Sequence, residues 1–151
     1  MDKTRIYLDV SCLNRPFDDQ SQVRIRLEAE AIVLILERLD VGVWRQVSSE
    51  IAVIEIDAIA DEERRVNVRR FLPEPEDIHP LSKTTFERAL QLEKLGFKAA
   101  DAVHVAAAEE CRAEVLLSCD DRLCKLAKRH QEKLRVTVAN PLTWLQEQKH
   151  A

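Results

Sequence analysis

The sequence predicts an α/β fold of three layers, α/β/α, around a central, mainly parallel sheet of four to five strands. Three observations carry this. Short apolar runs, TRIYLDV (4–10), VWRQVS (43–48), EVLLSCD (114–120) and LRVTVAN (134–140), alternate with longer segments of helical periodicity. Only two glycines, Gly42 and Gly96, interrupt the chain, which favours long helices. Strands that alternate with helices pair in parallel, because the crossover helices cover both faces of the sheet. No repeat, low-complexity stretch or linker divides the 151 residues, so one domain is expected over 1–151.

The elements follow in order. After the first strand, QSQVRIRLEAEAIVLILERL (20–39) alternates like a strand at Val23, Ile25, Leu27 and Ala29. The pairs Arg24–Glu28 and Arg26–Glu30 at i,i+4, and the later spacing of Ile32, Val33, Ile35, Leu36 and Leu39, decide for helix. Gly42 ends that helix, and the second strand begins at 43. Ser49 reads as an N-cap for a helix at 50–60. A helix at 61–71 stops before the loop PEPEDIHP (73–80), and Gly96 separates helices at 82–94 and 99–112. The third strand, 114–120, feeds a helix at 121–130. The last strand, 134–140, meets Pro141, which starts a short helix.

Composition narrows the function classes. A hydrophobic fraction of 46% with 33% charged residues is that of an ordinary soluble globular protein. The longest tight apolar run, AIVLIL (31–36), is far short of a membrane span, and MDKTR opens no export signal. A cytoplasmic protein without a membrane partner is expected. Cys12, Cys111, Cys119 and Cys124 form no CxxC pair and no Cys/His zinc spacing. A net charge of −4 gives no general basic surface for nucleic acid. A nucleic-acid substrate would need a local basic patch or metal ions.

The acids supply the chemistry. In open parallel sheets the ligand crevice lies beyond the carboxyl ends of the strands. Asp9 ends the first strand, Ser49 the second and Asp120 the third, so all three belong to one sheet edge. Glu55 lies six residues after Ser49 on the departing helix, and Asp101 opens the alanine-rich helix DAVHVAAAEE. Asp9, Glu55, Asp101 and Asp120 crowded together would repel one another. A divalent cation relieves that conflict, and an all-oxygen donor set suits Mg²⁺ or Mn²⁺. Such an ion makes water a better nucleophile and stabilises charge on a phosphate, which is the chemistry of phosphodiester hydrolysis.

The ordered motifs YLDxSxLN, SSExxxxE, AADAVHVAAAEE and LLSCDDRL resemble those of PIN-domain nucleases, in particular VapC-type toxins and related stand-alone prokaryotic PIN proteins. The likeness runs from Arg5 to about Leu145. It implies a PIN-like fold with Asp9, Glu55, Asp101 and Asp120 as metal-binding acids. It also implies supporting roles for Ser118 and Ser11. The activity implied is that of a Mg²⁺- or Mn²⁺-dependent endoribonuclease, with RNA as substrate. An antitoxin partner and a homodimer are implied as well.

Each of these residues also has a plainer reading. Asp101 and Asp120 stand before helices and could be N-caps; Asp121 is first-turn charge or an aid to a second metal. His104, three residues after Asp101, is either a packed histidine or a hydrogen-bonding support for the site. Arg65 and Arg69 share a helix face that could touch RNA, and Arg15, six residues after Asp9, is the better phosphate contact. The alternative function is an RNA- or protein-binding module on the same fold, with little or no turnover.

Overall fold

The computed structural model describes residues 3–148. Five strands form its centre: β1 (Arg5–Leu8), β2 (Arg45–Ser49), β3 (Ile78–His79), β4 (Val115–Leu117) and β5 (Thr137–Ala139). They lie in the order β3-β2-β1-β4-β5, every pairing parallel. The helices are α1 (Val10–Asn14), α2 (Val23–Asp40), α3 (Glu50–Asp57), α4 (Glu62–Arg69), α5 (Lys83–Glu93), α6 (Ala99–Glu110), α7 (Asp121–Arg129) and α8 (Pro141–Gln148). None of the described helices is long and apolar enough to cross a membrane.

Alternation along β1 divides the core into two layers. Ile6 and Leu8 pack with Leu13, Ile32, Ile35, Ile56 and Trp144, the layer of α1, α2, α3 and α8. Tyr7 faces the other way, into a layer built from Leu92, Val105, Leu116, Leu123 and the α6 alanines. Ala102, Ala106, Ala107 and Ala108 are fully buried, since only small side chains let a helix lie this close to its neighbours. Register joins Tyr7 to Val47 on one side and to Leu116 on the other. Beyond β1, strand connections run to opposite sides of the sheet, which places a crevice at the carboxyl ends of β1 and β4.

The structure departs from the sequence reading in four places. The first strand stops at Leu8, because Asp9 caps α1 instead of extending β1. The segment 73–80 contains β3, a two-residue edge strand that sequence periodicity is too short to reveal. In α2 the buried positions are Glu28, Ala29, Ala31, Ile32 and Ile35, while Val23 and Leu27 of the alternating stretch are exposed. Ser49 does sit at the N-cap position of α3, but its side chain makes no capping bond. Gly42, predicted to end α2, has φ +85°, a left-handed turn that a side chain would strain.

The NRPFDD segment (14–19) is a tie between helices. Pro16 sits in a single 3-10 turn (Arg15–Phe17), and Phe17 stacks on Phe71 at 5.6 Å. Arg64 of α4 donates to Asn14 Oδ1 (3.2 Å), Asp18 Oδ1 (2.9 Å) and the Phe17 carbonyl (2.6 Å).

Candidate metal centre

The site grows from the end of β1. The backbone N–H of Asp9 donates to the Leu117 carbonyl at 2.9 Å, so the β1–β4 ladder continues to the residue after the strand. The carboxylate is buried and held on both oxygens. Oδ1 accepts from the Val10 amide at 2.9 Å; Oδ2 accepts from Ser11 Oγ at 2.7 Å and Ser118 Oγ at 2.8 Å. The two hydroxyls also serve the facing loop. Ser118 Oγ accepts the Asp120 amide and Ser11 Oγ the Cys119 amide, each at 3.1 Å. Ser11 and Ser118 thus fix Asp9 and stitch the ends of β1 and β4 together.

Glu55 reaches the same place from α3 and His104 from α6. His104 Nε2 lies 2.5 Å from Glu55 Oε1 and 3.8 Å from Asp9 Oδ1. Its Nδ1 is 2.7 Å from the Tyr7 hydroxyl, which is 2.7 Å from Ser49 Oγ. Asp9, Glu55 and His104 can each offer one ligand atom with all three atoms within 4.8 Å of one another.

Asp101 is not the N-cap of α6; that position is Lys98. Its carboxyl is pushed up to about 6, first by burial, then by Asp9 and Asp120, with His104 opposing and Glu55 adding to the rise. Asp120 takes the N-cap role its position allowed. It caps α7 through Oδ1, which accepts the Arg122 and Leu123 amides at 2.9 and 3.3 Å, and it acts electrostatically on Asp101. His104 is raised above the ordinary histidine value. Burial opposes its charge, but the hydrogen bond to Glu55 and the charges of Asp9, Glu55 and Asp101 outweigh burial.

Four nominated residues are engaged elsewhere. Asp121 is exposed and gripped by Arg24 through two hydrogen bonds, of 2.7 and 2.5 Å, and is thereby held in the ordinary role of first-turn charge. Arg15 is half-buried, paired with Glu28 and Asp18, each at 3.1 Å, and so is no free phosphate contact. Arg65 donates to the Ile59 carbonyl at 2.8 Å, and Arg69 pairs with Asp57. The hydrogen bonding of Tyr7 and Ser49, and the burial of Glu28 beyond its pairing with Arg24, escaped sequence reasoning. The available signals were a lone tyrosine in an aliphatic strand before Asp9 and an acid on the buried stripe of α2.

The donor chemistry fits a hard divalent cation. Asp9 and Glu55 meet at His104, the charges of Asp9, Asp120 and Glu55 act on Asp101, and among the described residues no Lys or Arg is ion-paired with any of these four acids. A cation bound by Asp9, Glu55, Asp101 and Asp120 would meet oxygen donors and remove the repulsion that adds to burial in lifting Asp101.

No protein-family model and no curated protein matches the chain. Solved structures do. A chain of VapBC2 from Rickettsia felis, determined bound to a DNA fragment from their promoter, aligns with a TM-score of 0.57 at 14% identity. The alignment covers 91% of this chain and 98% of that one. A chain of VapBC-1 from nontypeable Haemophilus influenzae aligns with a TM-score of 0.54, again at 14% identity and with coverage of 91% and 98%. Likeness at that identity is one of fold: the chain has a PIN-like α/β fold, as its motifs predicted.

Proposed function

We propose that this chain is a Mg²⁺- or Mn²⁺-dependent endoribonuclease acting as the toxin of a type II toxin–antitoxin pair. The observation that carries the reading is the meeting of Asp9 and Glu55 at His104, with Asp101 under the charges of Asp9, Asp120 and Glu55 and, among the described residues, no Lys or Arg ion-paired with any of these acids. Asp9, Asp101 and Asp120 would hold the cation, and Glu55 would ligate it or orient the attacking water. A bound cation supplies charge stabilisation at the phosphate and an acidified water. Ser11 and Ser118 keep Asp9 in place, and His104 does the same for Glu55. The likeness in fold to VapBC structures supports an antitoxin partner, and symmetric dimers being the commonest assembly supports a homodimer.

The test is cleavage of a stem-loop RNA with Mg²⁺ or Mn²⁺ against a chelator control, beside melting temperature with Mn²⁺. A ligand that binds only the folded state at 100 times its Kd stabilises by about 2.7 kcal/mol. Metal-dependent cleavage with a rise in Tm is expected. A rise without cleavage would favour a binding module on the same metal centre, and the absence of both effects would overturn the metal centre.

A further inference from the structure

The bonding around His104 is determined by proton counting. An ionised carboxylate only accepts, so with Glu55 ionised and its Oε1 2.5 Å away, the His104 Nε2 must carry a hydrogen. In the neutral ring Nδ1 is then an acceptor, and the group in contact with it is the buried Tyr7 hydroxyl, 2.7 Å away. If Tyr7 donates to Nδ1, its oxygen is free to accept, and Ser49 Oγ lies 2.7 Å off with a hydrogen to give. Each donor in the chain Ser49, Tyr7, His104, Glu55 then meets one acceptor. The other tautomer would set two lone pairs face to face between Nε2 and Oε1. Ser49 makes no capping bond to α3; its side chain is turned to Tyr7 instead.

We infer that Tyr7, backed by Ser49, is a positioning residue that fixes His104 as its Nε2–H tautomer, so that His104 holds Glu55 and does not ligate the metal. The inference rests on the metal-centre reading above and narrows it. Nε2 and Glu55 belong to a cluster tight enough for an ion, yet the proton on Nε2 removes imidazole from the donor set. What remains is all oxygen, which favours Mg²⁺ and Mn²⁺ over Zn²⁺. The tyrosine ring meets the imidazole edge-on, with centroids 5.7 Å apart and planes at 82°, an arrangement that sets the imidazole plane as well as its protons.

The direct test is ¹⁵N NMR of the histidine-labelled chain, metal-free and with Mg²⁺, at mildly alkaline pH. The expected result is a protonated Nε2 and a bare Nδ1 in both. A bare or metal-shifted Nε2 overturns the inference. Tyr7→Phe keeps the ring and removes the donor, and should weaken Mn²⁺ binding, read by thermal shift, about 10–100-fold. In cleavage it should lower kcat and leave KM for the RNA unchanged. An unaltered Mn²⁺ affinity in folded Tyr7→Phe would sink the proposal. Should that variant not fold, Ser49→Ala gives the smaller loss in the same direction, and the wild-type spectrum stands by itself. His104→Gln, whose amide still offers an N–H to Glu55, should retain more Mn²⁺ affinity than His104→Ala; equal losses would count against a donor. If the wild type neither binds Mn²⁺ nor cleaves RNA, the nuclease reading fails, while the metal-free spectrum still decides the tautomer.

Discussion

Two clusters of acids in this molecule are treated in opposite ways. Glu28 is more deeply buried than any of the acids at the crevice, yet the chain surrounds it with partners. Arg15 and Arg24 pair with it at 3.1 and 3.2 Å, and Asn140 donates at 2.6 Å. Asp9, Glu55 and Asp120 receive hydroxyls, amides and one imidazole, and among the described residues neither they nor Asp101 is ion-paired with a Lys or Arg. A buried carboxylate that the fold neutralises itself belongs to the architecture. A group of them left crowded is poised for a charge from outside. The tool for separating structural from functional acids is therefore the identity of the neighbours, and burial alone would have ranked Glu28 first.

Glu28→Ala should give the largest effect. It strips partners from Arg15, Arg24 and Asn140, which join the 15–17 turn, α2 and the start of α8, and removing one member of a buried pair typically costs about 3–5 kcal/mol. Chemical denaturation should show that loss, while cleavage per folded molecule stays near wild type. A mild change would mean that Glu28 is not the keystone of its cluster. Asp101→Asn should do the reverse. Metal-dependent cleavage should fall by more than about 100-fold, beyond the effect usual for groups that only support a ligand. Stability without metal should hold or rise, because one crowded charge is gone. Loss of folding in place of loss of cleavage would erase the distinction between the clusters.

The contrast also explains what the sequence could disclose. Asp9, Glu55, Asp101 and Asp120 were legible because each occupies a position set by topology: a strand end, a helix start, or a helix turn facing the sheet edge. The parallel α/β architecture followed from β1 and β4, whose near-continuous apolar runs mark strands covered on both faces. The tasks of Arg15, Arg65 and Arg69 were not legible. Arg15 lies six positions from Asp9 yet turns to Glu28 and Asp18, since a long side chain reaches partners that local spacing does not specify. Tyr7 and Ser49 were hidden for a related reason: their contacts join β1, β2 and α6 across 42 and 97 positions. The two-residue β3 exists only through pairing with β2, a tertiary effect with no periodicity of its own.

Ser118→Ala sharpens the contrast at the level of support. It removes one of two hydroxyls on Asp9 Oδ2 and the acceptor of the Asp120 amide. Mn²⁺ affinity measured by thermal shift should weaken about 10-fold or somewhat more. An affinity equal to wild type would show that Ser11 alone fixes Asp9.

The smallest effect is the pH dependence of the metal-free protein, and its sign follows from two groups. Asp101 titrates near 6 when folded and near 3.9 when unfolded, so between these values the folded state retains a proton that the unfolded state has released. Its contribution therefore declines as pH rises from about 4 to about 6. His104, raised above its ordinary value of about 6.5, contributes stability that is complete below that value and is lost as pH climbs through the folded pKa. Both act in one direction: the Tm of metal-free protein should fall as pH goes from about 5 to about 8. Asp101→Asn should flatten the acidic half of that slope and His104→Gln the alkaline half. Saturating Mn²⁺ should reverse the acidic half, because the cation binds the ionised carboxylates and competes with their protons. A slope that persists in Asp101→Asn would place its origin outside the crevice. The crowding that distinguishes these acids from Glu28 would then need another measure.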